Sequence, residues 1–476
     1  MVGAIAHHLS QSGPHPCRNA IAQWANMTTG CGDWGDMDIR GAIFDCDGTL
    51  LDSMPMWTQE CVGLLERHGV EDALRVFLEH ESLDMDEKCR WYHENLGIGQ
   101  SWEQLFGELW DNVADAYATR VQPFPGCERL LASLASRGVP MVLASATPRD
   151  LLREALSAHG LIDYFDELVF AGDVGRGKEH PDVYLAARRR LATPMHQTWV
   201  FEDAPFGVRS AARAGFPTVA IFNDHDGRDR SMLERWATVV SCGYEDLTPQ
   251  VLEASMLRVL VVGGSPEVPS AELLRKLAQT SDFVVAADAG ARALKGAGIV
   301  PHAFCGDADS CGDDVREWVS RTVAHVALFP REKDDTDLAL AVACAREQAA
   351  GRGARLRLTL TGVSGGRPDH FLGVWGVLTS CLQGAPGIVE DGYCCKILSP
   401  EGDDSWYLED RVGSTVSLVA LSPGTVASAR GMHWNLDHAP LAPLGDTGVS
   451  NVVDEALAEL RCHSGTLAVF VLGEGK

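Results

Sequence analysis

Short apolar runs alternate with stretches of helical periodicity along the first half of the chain. The first run, GAIF at 41–44, is apolar throughout and ends in an acidic turn, which is typical of a buried parallel strand. Further strand-like runs are VPMVLAS (139–145), ELVFAGD (167–173), TWVFED (198–203) and TVAIF (218–222). Because helical stretches separate them, the pattern predicts a parallel α/β sheet, and residues 54–121, which are helical throughout, form an insertion in it.

A second series of strands and helices begins at LRVLVVGG (257–264). It continues through FVVAADAG, HVALFPREKDDTD, a helix from Leu338 to about Gln348, and LRLTLTG (356–362). After about residue 390 the helices fade, and the remaining apolar runs predict a small β-sandwich in which Cys394 and Cys395 belong to a strand. The expected organisation is a tail without periodicity (1–37), a first α/β domain (38–245), a linker (246–256), a second α/β domain (257–392) and a β domain (393–476).

Composition and charge narrow the class of protein. A chain of 476 residues exceeds one ordinary core, and 46% hydrophobic with 22% charged residues is typical of soluble globular domains. A net charge of −26 disfavours nucleic acid and anionic membranes as partners. No apolar run approaches the roughly 20 residues of a membrane helix, and the N-terminus does not read as a signal peptide. The 14 cysteines include no CxxC pair, which favours reduced thiols and a cytoplasmic location.

The acidic turn after the first strand, DCDGTLLDS, carries the first candidate chemistry. Asp45 and Asp47 follow the strand directly, where open α/β sheets bind ligands. An aspartate can attack phosphorus while a second carboxylic acid protonates the leaving oxygen. A DxDG segment alone is equally a common turn or a fragment of a calcium loop. Later strand ends supply further polar groups, in the order Ser145 with Thr147, Lys178, and the pair Glu202 and Asp203.

Taken in order, these segments resemble the four motifs of the haloacid dehalogenase superfamily over about residues 38–245. The motifs here read DCDGTLLDS, LASAT, GRGKEHPDVY and FEDAPFGVRSAARAGF, and the helical insertion resembles the cap of the β-phosphoglucomutase-like branch. The resemblance implies a Rossmann-like fold and a Mg²⁺-dependent phosphatase acting on a small phosphomonoester. One departure is Glu179, where a proline commonly follows the lysine. The implied roles are Asp45 as nucleophile, Asp47 as general acid and base, Ser145 and Lys178 as phosphate ligands, and Asp45, the Asp47 carbonyl, Asp203 and Glu202 as the Mg²⁺ site.

Acidic clusters also follow the strands of the second series. Any one of them alone would be an ordinary solvated turn, but grouped carboxylates bind Mg²⁺, which can bridge the phosphates of ATP. A flexible GGR segment, Gly365 to Arg367, then suits contact with an anion. The clusters are Asp288, then Asp307 with Asp309, and then Asp334, Asp335 and Asp337.

Together these segments resemble thiamine pyrophosphokinase over about residues 257–474. That family shows ADGGAN, GDFDS, KDxTD, GGRxDH and a late SN; this chain reads ADAGAR, GDADS, KDDTD, GGRPDH and Ser450–Asn451. The departures are Ala289, Arg292 and His302, where the family has a glycine, an asparagine and an aspartate. The resemblance implies a Mg²⁺·ATP site made by Asp307, Asp309, Asp334 and Asp337, with Asp288 and Lys333 nearby, and a nucleotide contact by Gly365, Gly366, Arg367 and Asp369.

The thiamine side of the resemblance rests on Trp434 and Ser450. Trp434 would stack on the thiamine pyrimidine and Ser450 would hydrogen-bond it; the alternative for Trp434 is a strand residue packed inside the β-sandwich. Members of the family are homodimers that bind thiamine between subunits, so a homodimer is expected.

The sequence thus predicts a bifunctional enzyme, with thiamine monophosphate as one candidate phosphatase substrate. Its second activity would be a thiamine diphosphokinase that transfers pyrophosphate from ATP to thiamine, giving thiamine diphosphate and AMP. The alternative is a sugar-phosphate phosphatase or phosphomutase fused to a non-catalytic module that senses thiamine or a nucleotide. The intact GDADS and KDDTD segments favour the first interpretation. No spacing rule identifies the phosphatase substrate or the general base of the kinase.

Overall fold

The computed structural model describes residues 39–81, 83–222, 230–309, 311–330 and 334–473. Within them the chain divides into two compact units, residues 39–253 and residues 254–473. The predicted tail, residues 1–37, and the predicted nucleotide contact Lys333 lie outside the described residues.

Six parallel strands form the sheet of the first unit, in the order β3-β2-β1-β4-β5-β6. They are β1 (Gly41–Phe44), β2 (Met141–Ser145), β3 (Glu167–Phe170), β4 (Thr198–Glu202), β5 (Thr218–Ile221) and β6 (Val239–Ser241). The apolar strand β1 is buried along its whole length and pairs with β2 on one side and β4 on the other. The acidic turn after β1 therefore lies in the middle of the carboxyl edge of the sheet.

The helices of the first unit include the predicted insertion between β1 and β2, which we call the cap (residues 54–121). Its four helices are α1 (Met54–Arg67), α2 (Ala73–Glu79), α3 (Met85–Leu96) and α4 (Trp102–Thr119). The others are α5 (Cys127–Ser136), α6 (Arg149–Ala158), α7 (Ala171–Val174), α8 (Asp182–Leu191), α9 (Pro205–Ala214), α10 (Arg230–Trp236) and α11 (Pro249–Ala254). Strand β3 is shorter than the predicted 167–173, because Gly172 and Asp173 have low β-propensity and fall in helix α7.

A ten-stranded sheet runs through the second unit, in the order β10-β9-β8-β7-β11-β12-β13-β20-β15-β18. The six strands from β10 to β12 are parallel, and the pairs from β12 onwards are antiparallel. The parallel strands are β7 (Met256–Val262), β8 (Phe283–Ala287), β9 (Ala303–Gly306), β10 (His325–Leu328), β11 (Arg355–Thr361) and β12 (Gly387–Glu390). The antiparallel ones are β13 (Tyr393–Leu398), β15 (Thr415–Ala420), β18 (Asn451–Val452) and β20 (Leu467–Leu472).

A second, four-stranded sheet packs against the antiparallel part of the first. Its order is β14-β19-β16-β17, made by β14 (Ser405–Glu409), β16 (Thr425–Arg430), β17 (Leu436–Leu441) and β19 (Leu457–Ser464). Buried side chains from both sheets, among them Leu418, Val469, Ala429 and Leu460, form one hydrophobic core. The predicted mixed α/β fold with a terminal β-sandwich is confirmed.

Helices and strands extend across two of the predicted domain boundaries. Strand β12 pairs with β13 as far as Glu390 opposite Tyr393, so one sheet continues across residues 392 and 393. The segment 246–256, predicted as a linker, contains helix α11 with Leu252 buried, and its last residue already belongs to β7.

The helices of the second unit cover the parallel part of its sheet. They are α12 (Ala271–Gln279), α13 (Gly290–Ala297), α14 (Asp313–Thr322), α15 (Asp337–Arg352) and α16 (Pro368–Thr379). Helix α15 begins where Thr336 accepts a hydrogen bond from the Ala339 N–H, and it ends at Gly353, whose φ of 63° is readily adopted by glycine. Across the described ranges, no helix is long and apolar enough to cross a membrane.

Two candidate active sites

The first site is a group of buried carboxylates around one lysine at the carboxyl edge of the six-stranded sheet. The Lys178 ammonium donates hydrogen bonds to Asp45 Oδ1 and, over 2.7 Å, to Glu202 Oε1. Carboxylate oxygens of Asp45, Glu202 and Asp203 lie within 4.8 Å of one another. Three buried carboxylates around a single cation leave an excess of negative charge, and hard oxygen ligands of this kind fit Mg²⁺.

Burial sets the protonation of this group. It raises the pKa of Asp45 well above its usual range, and the attraction of Lys178 offsets that effect only in part. Burial opposes the charged form of Lys178 as well, but the attraction of Asp45 and Glu202 outweighs it and raises the pKa of the ammonium. A divalent cation beside Asp45 would favour the ionised carboxylate that a nucleophile requires.

Glu202 is hydrogen-bonded to several groups of this site. Its Oε1 accepts hydrogen bonds from Lys178 and from the Tyr184 hydroxyl at 2.9 Å, and its Oε2 accepts from the backbone N–H groups of Asp203 and Ala204, each at 2.9 Å. The side chain is fully buried. Glu202 therefore fixes both the lysine and the turn that carries Asp203, besides lying in the carboxylate group.

Asp47, in contrast, is not a member of this group, and its carboxylate accepts hydrogen bonds from hydroxyl donors. Its Oδ1 accepts hydrogen bonds from Ser53 at 2.6 Å and from the cap residue Tyr117, and its Oδ2 accepts one from Thr147 at 2.8 Å. The Tyr117 hydroxyl in turn accepts a hydrogen bond from Trp57 Nε1 at 3.0 Å. Two neighbouring aspartates thus occupy different environments, as a nucleophile and a separate proton donor require.

A cavity that is open to solvent lies directly beside these residues. Asp45, Ser145, Thr147 and Lys178 line it on the sheet side, and cap residues line it on the other. We call it the substrate cavity. The predicted phosphate ligand Ser145 is 1% exposed, and its Oγ accepts a hydrogen bond from the Thr147 N–H at 3.1 Å.

The second site lies where strands β8 and β9 of the second unit end. Carboxylate oxygens of Asp288, Asp307 and Asp309 lie within 4.8 Å of one another, and the Asp309 N–H donates to Asp307 Oδ1 over 3.0 Å. The Cys311 thiol donates to the carbonyl oxygen of Asp288 at 3.3 Å. Three carboxylates at adjacent strand ends again form an oxygen ligand set that fits Mg²⁺.

The predicted set of metal ligands is brought together only in part. Asp288, expected nearby, is a full member of the group, whereas Asp334 and Asp337 are not among the clustered carboxylates of the described chain. Asp337 is the first residue of helix α15, where a carboxylate stabilises the positive end of the helix dipole.

The arginine of the predicted GGR segment forms an ion pair with Asp369, two residues further along the chain. Gly365 and Gly366 adopt positive φ angles of 77° and 69°, which glycine allows at little cost. Arg367 Nε donates to Asp369 Oδ1 over 3.1 Å on the protein surface, and this hydrogen bond lowers the pKa of Asp369 to about 2. The ion pair engages Nε and Nη2 of Arg367, so the guanidinium keeps further N–H donors for contact with an anion.

Glu390 is an organising residue that the sequence did not single out. Its carboxylate accepts hydrogen bonds from the backbone N–H groups of Gly362, Val363 and Ser364 at 3.0–3.2 Å, and from the Ser364 hydroxyl at 3.1 Å. It therefore holds the turn that follows β11 and precedes the GGR segment.

Trp434 lies in the turn between β16 and β17 and is 60% exposed. The alternative in which it packs inside the sandwich as a strand residue is therefore wrong. Ser450 has a φ of 61°, and its N–H donates to Ser417 Oγ at 3.0 Å.

Comparisons with known proteins match the two units to different families. Residues 39–215 match the family model of haloacid dehalogenase-like hydrolases. Validoxylamine A 7'-phosphate phosphatase of Streptomyces hygroscopicus subsp. limoneus is 32% identical over 39% of this chain and 86% of its own length. The phosphorylated carbohydrates phosphatase of Thermotoga maritima is 28% identical over 42% of this chain and 94% of its own length.

The second unit matches another family. Residues 274–389 match the thiamin pyrophosphokinase catalytic domain, and residues 406–467 match the thiamin pyrophosphokinase vitamin B1 binding domain. The chain joins a haloacid dehalogenase-like hydrolase domain to the catalytic and vitamin B1 binding domains of the thiamin pyrophosphokinase family. Among solved structures, a thiamin pyrophosphokinase family protein from Enterococcus faecalis covers 46% of this chain and 100% of its own, with 24% identity and a TM-score of 0.39.

Each family assignment coincides with one of the two carboxylate groups. The group around Asp45 lies in the haloacid dehalogenase-like hydrolase, and the group around Asp307 lies in the catalytic domain of the thiamin pyrophosphokinase. Trp434 and Ser450 fall within its vitamin B1 binding domain.

Proposed function

We propose that both halves are catalytic and that the chain is a bifunctional enzyme, a Mg²⁺-dependent phosphomonoesterase and a thiamine diphosphokinase. The observation that carries the first activity is the separation of Asp45, hydrogen-bonded to Lys178, from Asp47, hydrogen-bonded to hydroxyls. The three clustered carboxylates of the second unit carry the second.

In the phosphatase, a carboxylate oxygen of Asp45 attacks phosphorus and the bond from phosphorus to the leaving oxygen breaks. Asp47 gives its proton to that oxygen, and then accepts a proton from the water that hydrolyses the aspartyl-phosphate. Lys178 and Ser145 bind the phosphoryl oxygens. Asp45, Asp203 and the Asp47 carbonyl would hold Mg²⁺, which neutralises charge on the phosphoryl group.

In the kinase, the hydroxyl oxygen of thiamine attacks the β-phosphorus of ATP and AMP leaves. Little covalent chemistry falls to the protein in such a transfer, so positioning and charge neutralisation supply most of the catalysis. Asp288, Asp307 and Asp309 would hold Mg²⁺ with the ATP phosphates. The exposed ring of Trp434 offers a stacking surface for the thiamine pyrimidine.

Thiamine monophosphate is the phosphatase substrate that we propose. The kinase consumes free thiamine, and a phosphatase that removes the single phosphate of thiamine monophosphate would produce it. The covalent link between the two halves raises the local concentration of this product near the kinase. We also propose that the enzyme is cytoplasmic and that it is a homodimer with thiamine bound between subunits. Light scattering with and without thiamine would test the oligomeric state.

The deciding experiment supplies the purified chain with thiamine monophosphate, ATP and Mg²⁺ and follows thiamine diphosphate and AMP over time. The wild-type chain should form both, and Asp45→Asn should form them only when free thiamine is added. Absence of AMP formation from ATP and free thiamine would overturn the kinase proposal in favour of a sensing module.

A further inference from the structure

The hydroxyl of Tyr117 reaches Asp47 from the cap. Tyr117 lies in the last turn of helix α4 and is 3% exposed. The other two donors to the Asp47 carboxylate, Ser53 and Thr147, lie outside the cap, just before helix α1 and after strand β2. Among the hydrogen bonds of the described residues, Tyr117 is therefore what the cap contributes to the position of this carboxylate.

These three donors leave one acceptor position of Asp47 open. An ionised carboxylate offers about four lone-pair positions, two on each oxygen. Oδ1 accepts from both Ser53 and Tyr117, whereas Oδ2 accepts from Thr147. The remaining position, on Oδ2, can carry a transferable proton without breaking any of these hydrogen bonds, and Asp47 lines the substrate cavity.

Trp57 in turn fixes the hydroxyl of Tyr117. Its indole Nε1 donates to that hydroxyl at 3.0 Å, so the O–H hydrogen of Tyr117 is left to point at Asp47. Trp57 is 7% exposed and lines the substrate cavity, and the two rings pack edge to face with their centres 6.5 Å apart. Burial and the charge of Asp47 raise the pKa of Tyr117 well above its usual range, so the phenol keeps its proton and remains a hydrogen-bond donor.

We propose that Tyr117 is a positioning residue for proton transfer in the phosphatase, and that Trp57 acts through it. The Tyr117 hydroxyl fixes the orientation in which Asp47 Oδ2 gives its proton to the leaving oxygen as the bond from phosphorus to that oxygen breaks. A proton donor that is already held in place loses less conformational freedom on the way to the transition state. The inference rests on the phosphatase activity proposed above and deepens it, since it assigns part of the geometry of the acid to the cap.

Two phosphate esters of similar size separate the positioning of the acid from a structural role. p-Nitrophenol is a good leaving group that needs little protonation, whereas the alcohol released from benzyl phosphate needs a proton as the bond breaks. Tyr117→Phe should therefore lower kcat/KM for benzyl phosphate at least ~10-fold, out of the roughly 10²–10⁴-fold that a positioned acid contributes, and leave p-nitrophenyl phosphate within about threefold. A merely structural loss would lower both values alike.

Trp57→Phe tests the same link without removing the donor to Asp47. It keeps an aromatic ring in the cavity wall and the Tyr117 hydroxyl, and it removes the indole N–H that fixes that hydroxyl. It should lower the ratio of kcat/KM for benzyl phosphate to kcat/KM for p-nitrophenyl phosphate, by less than Tyr117→Phe does. In the Tyr117→Phe background it should not lower this ratio further, because effects of groups in one hydrogen-bond network do not add. If Tyr117→Phe fails to fold, Trp57→Phe alone decides the matter by this ratio.

Tyr92→Phe is the matched control, because it removes another buried hydroxyl of the cap, one without a hydrogen-bond partner among the described residues. It should change neither value. If the wild-type chain hydrolyses neither ester, the phosphatase proposal itself fails and this inference fails with it. If the wild-type chain hydrolyses p-nitrophenyl phosphate alone, or if Tyr117→Phe changes both esters alike or changes neither, the phosphatase stands and Tyr117 is not a positioning residue. Additive effects of Trp57→Phe and Tyr117→Phe on the ratio would overturn the link between them.

Discussion

The side-chain amide of Asn451 forms two hydrogen bonds with the backbone of Trp434. Its Oδ1 accepts from the Trp434 N–H at 3.1 Å, and its Nδ2 donates to the Trp434 carbonyl at 2.7 Å. Asn451 is 3% exposed, whereas Trp434 is 60% exposed. The buried Asn451 thus fixes the backbone of Trp434, whose ring is exposed. Because the turn is already ordered, it would lose less conformational entropy if a ligand stacked on this ring.

Trp434→Ala should raise KM for thiamine at least ~10-fold and leave KM for ATP unchanged, because a stacked aromatic ring contributes about 1–3 kcal/mol. The melting temperature should change little, since the ring is mostly exposed. Trp434→Phe should restore most of the affinity. If Trp434→Ala bound thiamine normally in a direct titration, Trp434 would not be the stacking residue.

Asp45→Asn should abolish phosphatase turnover and leave AMP formation from ATP and thiamine intact. The carboxamide has nearly the same shape as the carboxylate but is a far poorer nucleophile. Parallel assays of phosphate release and AMP release on one preparation measure both. Phosphate release at the wild-type rate would remove Asp45 from the mechanism.

Asp307→Ala should remove AMP formation, and excess Mg²⁺ should restore little of it, because loss of a ligand from a carboxylate group reduces both metal affinity and geometry. Asp337→Ala makes an informative comparison, because the structure does not place Asp337 in that group. If Asp337 binds metal only in the ATP complex, its variant should require more Mg²⁺ as well. If Asp337 only stabilises helix α15, its variant should lower the melting temperature and keep the Mg²⁺ dependence of the wild type.

The stability of the second unit should fall as the pH drops below the ordinary pKa of histidine, about 6.5. His302 stacks on Phe283 with ring centres 5.2 Å apart, and its Nδ1 accepts a hydrogen bond from the Val284 N–H at 2.9 Å. Burial lowers the pKa of His302, so the unfolded chain takes up a proton at a higher pH than the folded chain does. The contribution is complete above the unfolded pKa and is lost as the pH falls towards the folded pKa.

Urea unfolding at several pH values between 7 and 5 measures this dependence. His302→Asn keeps a hydrogen-bond acceptor but cannot take up the proton, so its stability should depend less steeply on pH than that of the wild type. His370→Asn, at an exposed position of helix α16, should leave the slope unchanged. Equal slopes in all three proteins would exclude His302 as the group responsible.

The sequence predicted the parts of both sites that lie where a strand ends in an acidic turn. Asp45, Asp288 and Asp307 follow apolar runs directly, so the local pattern is enough to place them at one edge of a sheet. Tyr117 could not be found in this way, because its contact with Asp47 depends on how the cap packs. The same is true of Glu390, whose backbone partners precede it by a whole helix.

The surroundings of Trp434 illustrate a different limit. Hydrophobicity favoured a buried strand residue, and only the position of Trp434 in an exposed turn excludes that alternative. Its role in binding remains a proposal. The continuous ten-stranded sheet could not be predicted from the sequence either. Its antiparallel part depends on the pairing of β13 with β20, which lie far apart in the chain and which local pattern does not specify.

Strand β20 lies between β13 and β15 in the sheet although all the other strands precede it in the chain. Strands β15 and β18 are joined to the rest of that sheet only through β20, within the part of the chain that the structure describes. While the protein is being synthesised, the edge of β13 that pairs with β20 therefore stays unpaired until residues Leu467–Leu472 have left the ribosome. The nascent thiamin pyrophosphokinase half is thus most prone to mispairing and aggregation in that interval, and chaperones that shield strand edges should improve its yield.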